Sequence, residues 1–218
     1  MAERSYDDAC GAALAMDAVG ERWALLVVRE LIFGPKRFGD LRTGLAHASP
    51  NVLSQRLKEL EADGIVRRTE LGPPTSTHVY ELTDRGRELR PVLIALSRWG
   101  AGVPTKPGTE MSADAVMLLL EALYAPPTGS TLRASIGIRL PGDEFALAVT
   151  PAGVTVRRGR AEHPDATIAV TVAQLRALVF GSISVATAVE LGRVEAEGDL
   201  DLATRFFSAY PNAATEAS

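Results

Sequence analysis

A glycine- and proline-rich segment, Gly100-Ala-Gly-Val-Pro-Thr-Lys-Pro-Gly108, separates two parts of the chain that differ in hydrophobic periodicity. Proline and glycine both disfavour the continuation of a helix, so this segment is the best candidate for a linker. The chain has 218 residues, which is long enough for one or two domains. We therefore predict one domain over residues 1–103 and another over 110–218, joined by a linker at 104–109.

Most of the first part has apolar residues at helical spacing, which favours helices over strands. Ser49 and Gly64 are residue types that cap the start and the end of a helix. The predicted elements are, in order, helices from Asp7 to Val19 and from Arg22 to Phe33, a short helix beginning at Phe38, a helix between Ser49 and Gly64, a hairpin of strands 65–71 and 78–82, and a helix from Arg85 to Trp99. This order is that of a winged helix-turn-helix domain.

The helix that begins after Ser49 has the composition expected of a helix that reads DNA. Leu53, Leu57 and Leu60 form one apolar stripe, while the opposite side carries no acidic residue. A helix in the major groove must offer hydrogen-bond donors and acceptors to base edges without repelling phosphate. We predict that base edges are contacted by Asn51, Ser54, Gln55 and Lys58. We predict that phosphates are contacted by Lys36, Arg37, Arg56, Arg67, Arg68, Thr75, Ser76 and Thr77. Ser49, at the start of the helix, is a further candidate DNA-binding residue.

The charge distribution is compatible with a local contact to DNA. The formal net charge of the whole chain is −4, whereas residues 36–68 hold more basic than acidic side chains. A polar outer face is by default only a solvated surface. The position of this helix, second in a helix-turn-helix and followed by a hairpin, favours double-stranded DNA as its partner.

The second part alternates helical segments with β-rich segments, which predicts an α+β domain with an antiparallel sheet. The predicted helices cover residues 112–124, 172–180, 185–191 and 199–210. The predicted strands cover residues 132–140, 145–150, 154–157, 166–171 and 193–197. The fold class of the whole chain is therefore α+β.

Four stretches of the first part resemble the HxlR type of bacterial transcriptional regulator, one of them being Arg37-Phe-Gly-Asp-Leu. The other three begin Cys10-Gly-Ala-Ala-Leu-Ala-Met, Ser49-Pro-Asn-Val-Leu-Ser-Gln-Arg-Leu and Tyr80-Glu-Leu-Thr-Asp-Arg-Gly, and the resemblance spans roughly residues 6–100. It implies a homodimer, formed through the first and last helices of the domain (Asp7 to Val19 and Arg85 to Trp99), on two DNA half-sites. This chain departs from the family in its wing, Pro73-Pro-Thr-Ser-Thr-His78, which lacks the basic residues found in related wings.

Two stretches of the second part resemble the sterol carrier protein-2 (SCP-2) fold. They begin Ala166-Thr-Ile-Ala-Val-Thr-Val and Gly192-Arg-Val-Glu-Ala-Glu-Gly. The resemblance implies an apolar cavity between sheet and helices that holds a hydrophobic small-molecule effector. The candidate lining residues are Leu178, Val179, Phe180, Ile183, Val189, Phe206 and Phe207. The alternative is that these side chains are ordinary core, because an apolar stripe alone does not predict a pocket.

The single cysteine, Cys10, excludes an intrachain disulfide and is compatible with a reducing cytoplasm. The HxlR resemblance makes Cys10 a candidate redox sensor. A reactive thiol must be exposed and favoured as the thiolate, and the neighbouring Asp7 and Asp8 disfavour the thiolate. The alternative is a small buried residue in the dimer helix.

No motif predicts an enzyme, a cofactor or a metal site. His47, His78 and His163 are far apart in sequence, and neither a zinc-protease motif nor a nucleophile elbow is present. No apolar run is long enough for a signal peptide or a membrane span, so we expect a cytoplasmic protein without a membrane partner. The favoured function is a ligand-sensing DNA-binding regulator. The alternative is a lipid-binding or carrier protein whose winged helix binds another protein.

Overall fold

The computed structural model describes residues 5–72, 77–106 and 108–210. The chain divides into two compact units, with the boundary between Leu93 and Ile94. This boundary lies inside a helix and precedes the linker that we predict at 104–109. Each unit is described by itself below.

The first unit has the elements of a winged helix-turn-helix. Its helices and strands are α1 (Gly11–Val19), α2 (Ala24–Leu31), α3 (Phe38–Gly44), α4 (Pro50–Ala62), β1 (Val66–Leu71), β2 (Thr77–Leu82), α5 (Asp84–Arg87) and the start of α6 (Arg90–Ala101). Strands β1 and β2 are antiparallel, with Val66 opposite Leu82. The backbone of Lys36 also pairs with Tyr80 in two hydrogen bonds of 3.0 and 2.8 Å, which ties the segment before α3 to the hairpin.

Two predicted helices differ from the observed ones. The first begins at Gly11 rather than Asp7, because Cys10 is its N-cap and accepts a hydrogen bond from the N–H of Ala13 on Sγ. The predicted helix from Arg85 to Trp99 is divided into α5 and α6. The interruption precedes Pro91, which has no N–H to continue the hydrogen-bond ladder.

The core of the first unit lies where α2 packs on α4. Val27 and Val28 of α2 and Leu53 and Leu57 of α4 are all at most 1% exposed. Each fully buried aliphatic side chain contributes roughly 1.5–3 kcal/mol to the free energy of unfolding. The apolar stripe of α4 is therefore its structural face, and the orientation of the helix is fixed by that stripe.

The second unit, which also contains the end of α6, is an α+β domain. Its further elements are α7 (Ala113–Leu123), β3 (Ala134–Leu140), β4 (Asp143–Thr150), β5 (Gly153–Arg158), β6 (Ala166–Ala169), α8 (Val172–Val179), α9 (Val185–Glu190), β7 (Glu195–Gly198) and α10 (Leu200–Phe207). The sheet order is β5-β4-β3-β6-β7. The predicted antiparallel sheet is confirmed except for one pair, β3 with β6, which is parallel. The chain after β5 does not turn back in a hairpin but crosses β4 and β3, and β6 then pairs with the far edge of β3. Strand β6 therefore runs in the same direction as β5 and β3.

One face of this sheet carries the core of the second unit. Ile136 and Ile138 of β3 and Phe145 and Leu147 of β4 lie two residues apart in their strands and are at most 1% exposed. At the edge of this core Arg158 binds the buried Asp114 at 2.6 Å and also pairs with Asp143.

Candidate nucleic-acid interface

The sequence predicts both ends of α4 correctly, and local interactions explain why. Ser49 accepts a hydrogen bond from the N–H of Val52 on its side-chain oxygen, at 3.3 Å. Pro50 is the first helical residue, where its missing N–H has no cost. Gly64 has φ +66°, the left-handed conformation that ends a helix and that glycine adopts without strain. The helix is therefore fixed along its length by its own sequence.

The open side of α4 carries the polar side chains that the sequence places there. Asn51, Gln55 and Lys58 are exposed, and Ser54 is half-buried. None of the four is acidic, so this surface offers donors and acceptors without a negative charge of its own. We call these four residues the reading face.

Beside the reading face lies an ion-pair network that the sequence analysis does not predict. Gln55 donates from Nε2 to Oε1 of Glu59 at 2.8 Å. Arg56 donates from Nη1 to Oε2 of the same carboxylate, and its Nη2 lies 3.4 Å from Oε2 of Glu21. The signal in the sequence is the spacing, because side chains three and four residues apart on a helix are neighbours.

This network changes the expectation for Arg56. Its side chain is only 12% exposed, and its guanidinium already has two carboxylate partners within the protein, those of Glu21 and Glu59. The structure therefore places Arg56 in a bridge between α4 and the turn before α2. Its assignment as a phosphate contact stays a prediction, and it is the least accessible of the arginines assigned to that role.

Lys36 has a similar internal partner. Its Nζ lies 2.8 Å from Oε2 of Glu30, and its side chain is 12% exposed. Glu30 is fully buried and also binds Arg29 at 2.7 Å. A buried carboxylate requires such partners, because an unpaired buried charge is strongly destabilising. Arg37, by contrast, is exposed at the N-cap of α3.

The hairpin presents one paired and one open arginine. Arg67 donates to Glu81 across the strands at 2.9 Å, and Thr69 donates to the same oxygen at 2.8 Å. These two hydrogen bonds hold the pKa of Glu81 below its usual range, and the one from Arg67 has the larger effect. Arg68 is exposed and forms no side-chain hydrogen bond within the described residues. Of the predicted hydroxyl contacts, Thr77 begins β2, whereas Thr75 and Ser76 lie outside the described residues.

The seven candidate ligand residues belong to the second unit. Leu178, Val179, Phe206 and Phe207 are buried, and the rings of the two phenylalanines are 5.0 Å apart. Phe180, Ile183 and Val189 are half-buried. A pocket of about 420 Å³ on the other face of the sheet is lined by different residues, among them Arg139, Arg160 and Glu197. The assignment of the seven residues to a ligand site remains a prediction.

Cys10 is exposed rather than buried within this chain. It caps α1, and its own N–H donates to the carboxylate of Asp8 at 2.9 Å. Within residues 5–72, 77–106 and 108–210, no three His, Cys, Asp or Glu side chains form a group suited to a metal ion. No helix in this part of the chain is long and apolar enough to cross a bilayer.

Two family models match the chain. Residues 18–106 match the HxlR-like helix-turn-helix family. Residues 121–210 match the SCP-2 sterol transfer family. The two matches follow one another along the chain, so an HxlR-like domain precedes an SCP-2 domain.

Sequences and solved structures similar to this chain include transcriptional regulators. The chain is 42% identical over 86 residues to the uncharacterised HTH-type transcriptional regulator YvaP of Bacillus subtilis, covering 39% of this chain and 79% of YvaP. It is 41% identical over 86 residues to the uncharacterised HTH-type regulator Rv3095 of Mycobacterium tuberculosis, covering 39% of this chain but only 54% of Rv3095. The reduced form of the B. subtilis transcriptional regulator YodB is 34% identical, with 47% of this chain and 100% of YodB aligned at a TM-score of 0.39.

Proposed function

We propose that this chain, which belongs to the HxlR-like helix-turn-helix family of transcriptional regulators, binds a specific operator as a homodimer and senses a hydrophobic small molecule through its SCP-2 domain. The observation that carries the DNA-binding part is the reading face of α4, the recognition helix. Asn51, Gln55 and Lys58 are exposed there, and the carboxylate of the neighbouring Glu59 is paired with Arg56. Exposed Arg37 and Arg68 supply positive charge from the flanking elements, which suits contacts to phosphate.

The homodimer is supported by apolar side chains that a single chain leaves exposed. Helix α1 exposes Leu14 and Met16, and α6 exposes Val92, Leu96 and Trp99, the last to 80%. Large exposed apolar residues on a helix favour a protein partner. A second copy that covers these helices would place two recognition helices on one operator with two half-sites.

The sensing part rests on the SCP-2 domain and on the seven apolar residues assigned above. A ligand held there regulates DNA binding only if it binds two arrangements of the dimer with different affinity. Those arrangements would differ in the spacing of the recognition helices. The sign of regulation follows from which arrangement fits the operator.

DNA binding by the full chain should depend steeply on salt and on sequence. The DNA upstream of the gene that encodes this chain is labelled, and the protein is titrated into it while fluorescence anisotropy is recorded at several salt concentrations. Random DNA of equal length is titrated in the same way. The logarithm of the affinity should fall by about 0.9 per contacted phosphate for each decade of salt. We expect Gln55→Ala to weaken the preference for upstream over random DNA, and Arg68→Ala to weaken binding to both equally.

A flat salt response, or equal affinity for upstream and random DNA, would remove the proposed function. It would favour the alternative of a carrier protein whose winged helix binds a protein partner. If Gln55→Ala and Arg68→Ala weaken all sequences equally, the reading face is assigned wrongly even though DNA binding itself stands.

The purified full chain should retain a hydrophobic ligand. Native mass spectrometry is expected to detect a species heavier than the ligand-free monomer or dimer of the same oligomeric state, and denaturation with organic solvent should release a lipophilic molecule from it. The physical reason is that an apolar cavity stabilises an apolar ligand by removing its surface from water. A native mass equal to that of the ligand-free monomer or dimer, with no lipophilic molecule in the extract or after incubation with a lipid mixture, contradicts the sensing role.

A further inference from the structure

We propose that Glu59 sets the base preference of the recognition helix by fixing the orientation of the Gln55 side-chain amide, so that Gln55 reads adenine. Glu59 acts here as a positioning residue and needs no contact with DNA. The inference rests on the proposed function, because it assigns a role in reading the operator.

The chemistry of the contact fixes which end of the amide faces Glu59. The two side chains are joined at 2.8 Å. An ionised carboxylate only accepts hydrogen bonds, so the amide must turn its NH₂ group toward it. The opposite orientation would place two oxygen atoms in contact without a proton between them. The bond therefore uses one of the two amide protons and leaves the second proton and the carbonyl oxygen of Gln55 free.

The free groups form a donor and an acceptor on an exposed side chain. In the major groove adenine presents N7 as an acceptor and N6–H as a donor, which match these two groups in a bidentate contact. Guanine presents two acceptors at the corresponding positions, N7 and O6, and leaves the carbonyl oxygen of Gln55 without a donor. An amide held in the observed orientation is therefore prepared to select adenine.

Glu59 is itself held in place by the protein. Its second oxygen accepts a hydrogen bond from Arg56, whose side chain is 12% exposed and also contacts Glu21. Because the Arg56 side chain is largely buried, it does not follow Glu59 into solvent. A rotation of Glu59 away from Gln55 would therefore break the hydrogen bond to Arg56. Arg56 also offsets the charge of a carboxylate that would otherwise repel nearby phosphates.

The experiment compares Glu59→Gln with Glu61→Gln in the full chain. A glutamine at 59 keeps the shape of the side chain but both donates and accepts, so the Gln55 amide can take either orientation. Glu61 lies on the same helix and makes no side-chain hydrogen bond to Gln55, so its replacement removes the same charge and serves as the control. Operators are selected from random DNA with the unaltered chain. Affinities are then measured for the selected operator and each of its single-base-pair variants.

We expect one A·T pair in each half-site whose replacement by G·C costs the unaltered chain roughly fivefold to a hundredfold in affinity. That preference should fall below about twofold in Glu59→Gln and in Gln55→Ala, with the other positions unchanged, and should persist in Glu61→Gln. Retention of the preference in Glu59→Gln, its loss in both glutamate variants, or a Gln55-dependent pair other than A·T would overturn the inference. Failure of the unaltered chain to select any sequence would instead overturn the proposed function, and the inference with it.

Discussion

Replacing Gly86 by alanine should destabilise the winged-helix unit by about 3 kcal/mol, the upper end of the usual cost of over-packing. A Cβ at this buried position would lie 2.2 Å from the carbonyl oxygen of Ile65. That oxygen belongs to the backbone and accepts a hydrogen bond from the N–H of Thr83 at 3.0 Å. The Thr83 hydroxyl also accepts from the N–H of Gly86 at 3.1 Å, so neither chain segment can retreat without breaking a hydrogen bond.

Chemical denaturation of the full chain, followed by far-ultraviolet circular dichroism, measures this effect. Gly39→Ala is the matched control, because Gly39 also lies in a helix of the first unit but has nothing within 4 Å of its Cβ position. Alanine in open helical space is expected to stabilise by about 0.5–1 kcal/mol. Equal shifts of the unfolding midpoint in the two variants would contradict the steric explanation.

The contrast between these two glycines shows what the sequence can predict in this protein. The helix α4 depends on neighbours in the chain, since Ser49 caps it, Pro50 begins it and Gly64 ends it. Such short-range signals are readable in a single sequence. The contact of Gly86 with Ile65 joins residues that only the folded hairpin brings together, and Gly86 and Gly39 look alike in the sequence.

The same limit explains why the sequence does not show which basic candidate residues have acidic partners within the protein. Exposed Asn51 and Gln55 follow from the helical period, which places them opposite the buried leucines. Lys36 lies before α3 and Arg56 lies in the recognition helix. Apart from the i, i+3 spacing of Arg56 and Glu59, the sequence does not distinguish these two residues from Arg37. They differ because the fold supplies acidic partners, Glu30 for Lys36 and Glu21 for Arg56.

Strand direction in the second unit is another property that periodicity does not contain. Alternation of apolar residues predicts β3 and β6 as strands, but it is the same for parallel and antiparallel neighbours. The parallel pairing of Ile136 with Ala166 and of Ile138 with Ile168 depends on the crossing of the chain after β5. Length and composition of that connection do not specify where it leads.

Replacing Leu14 by aspartate should dissociate the proposed dimer and weaken operator binding by roughly a hundredfold or more, because two linked half-site contacts become independent. Leu14 lies on α1 and is 56% exposed in the single chain. A charge there stays in contact with water in a monomer and costs little, but it must be desolvated when a second copy covers the helix. Sedimentation velocity measures the mass, and anisotropy with the selected operator measures the affinity.

The control for this substitution is Leu191→Asp. Leu191 is 57% exposed, which matches Leu14, but it follows α9 in the second unit and lies on neither helix assigned to the interface. We expect Leu191→Asp to leave mass and affinity unchanged. A Leu14→Asp protein that remains dimeric would remove α1 from the interface, and dissociation by Leu191→Asp would move the interface to the second unit. A monomeric Leu14→Asp that still bound the operator at full affinity would show that one recognition helix is sufficient, because the avidity of paired half-sites is then not used.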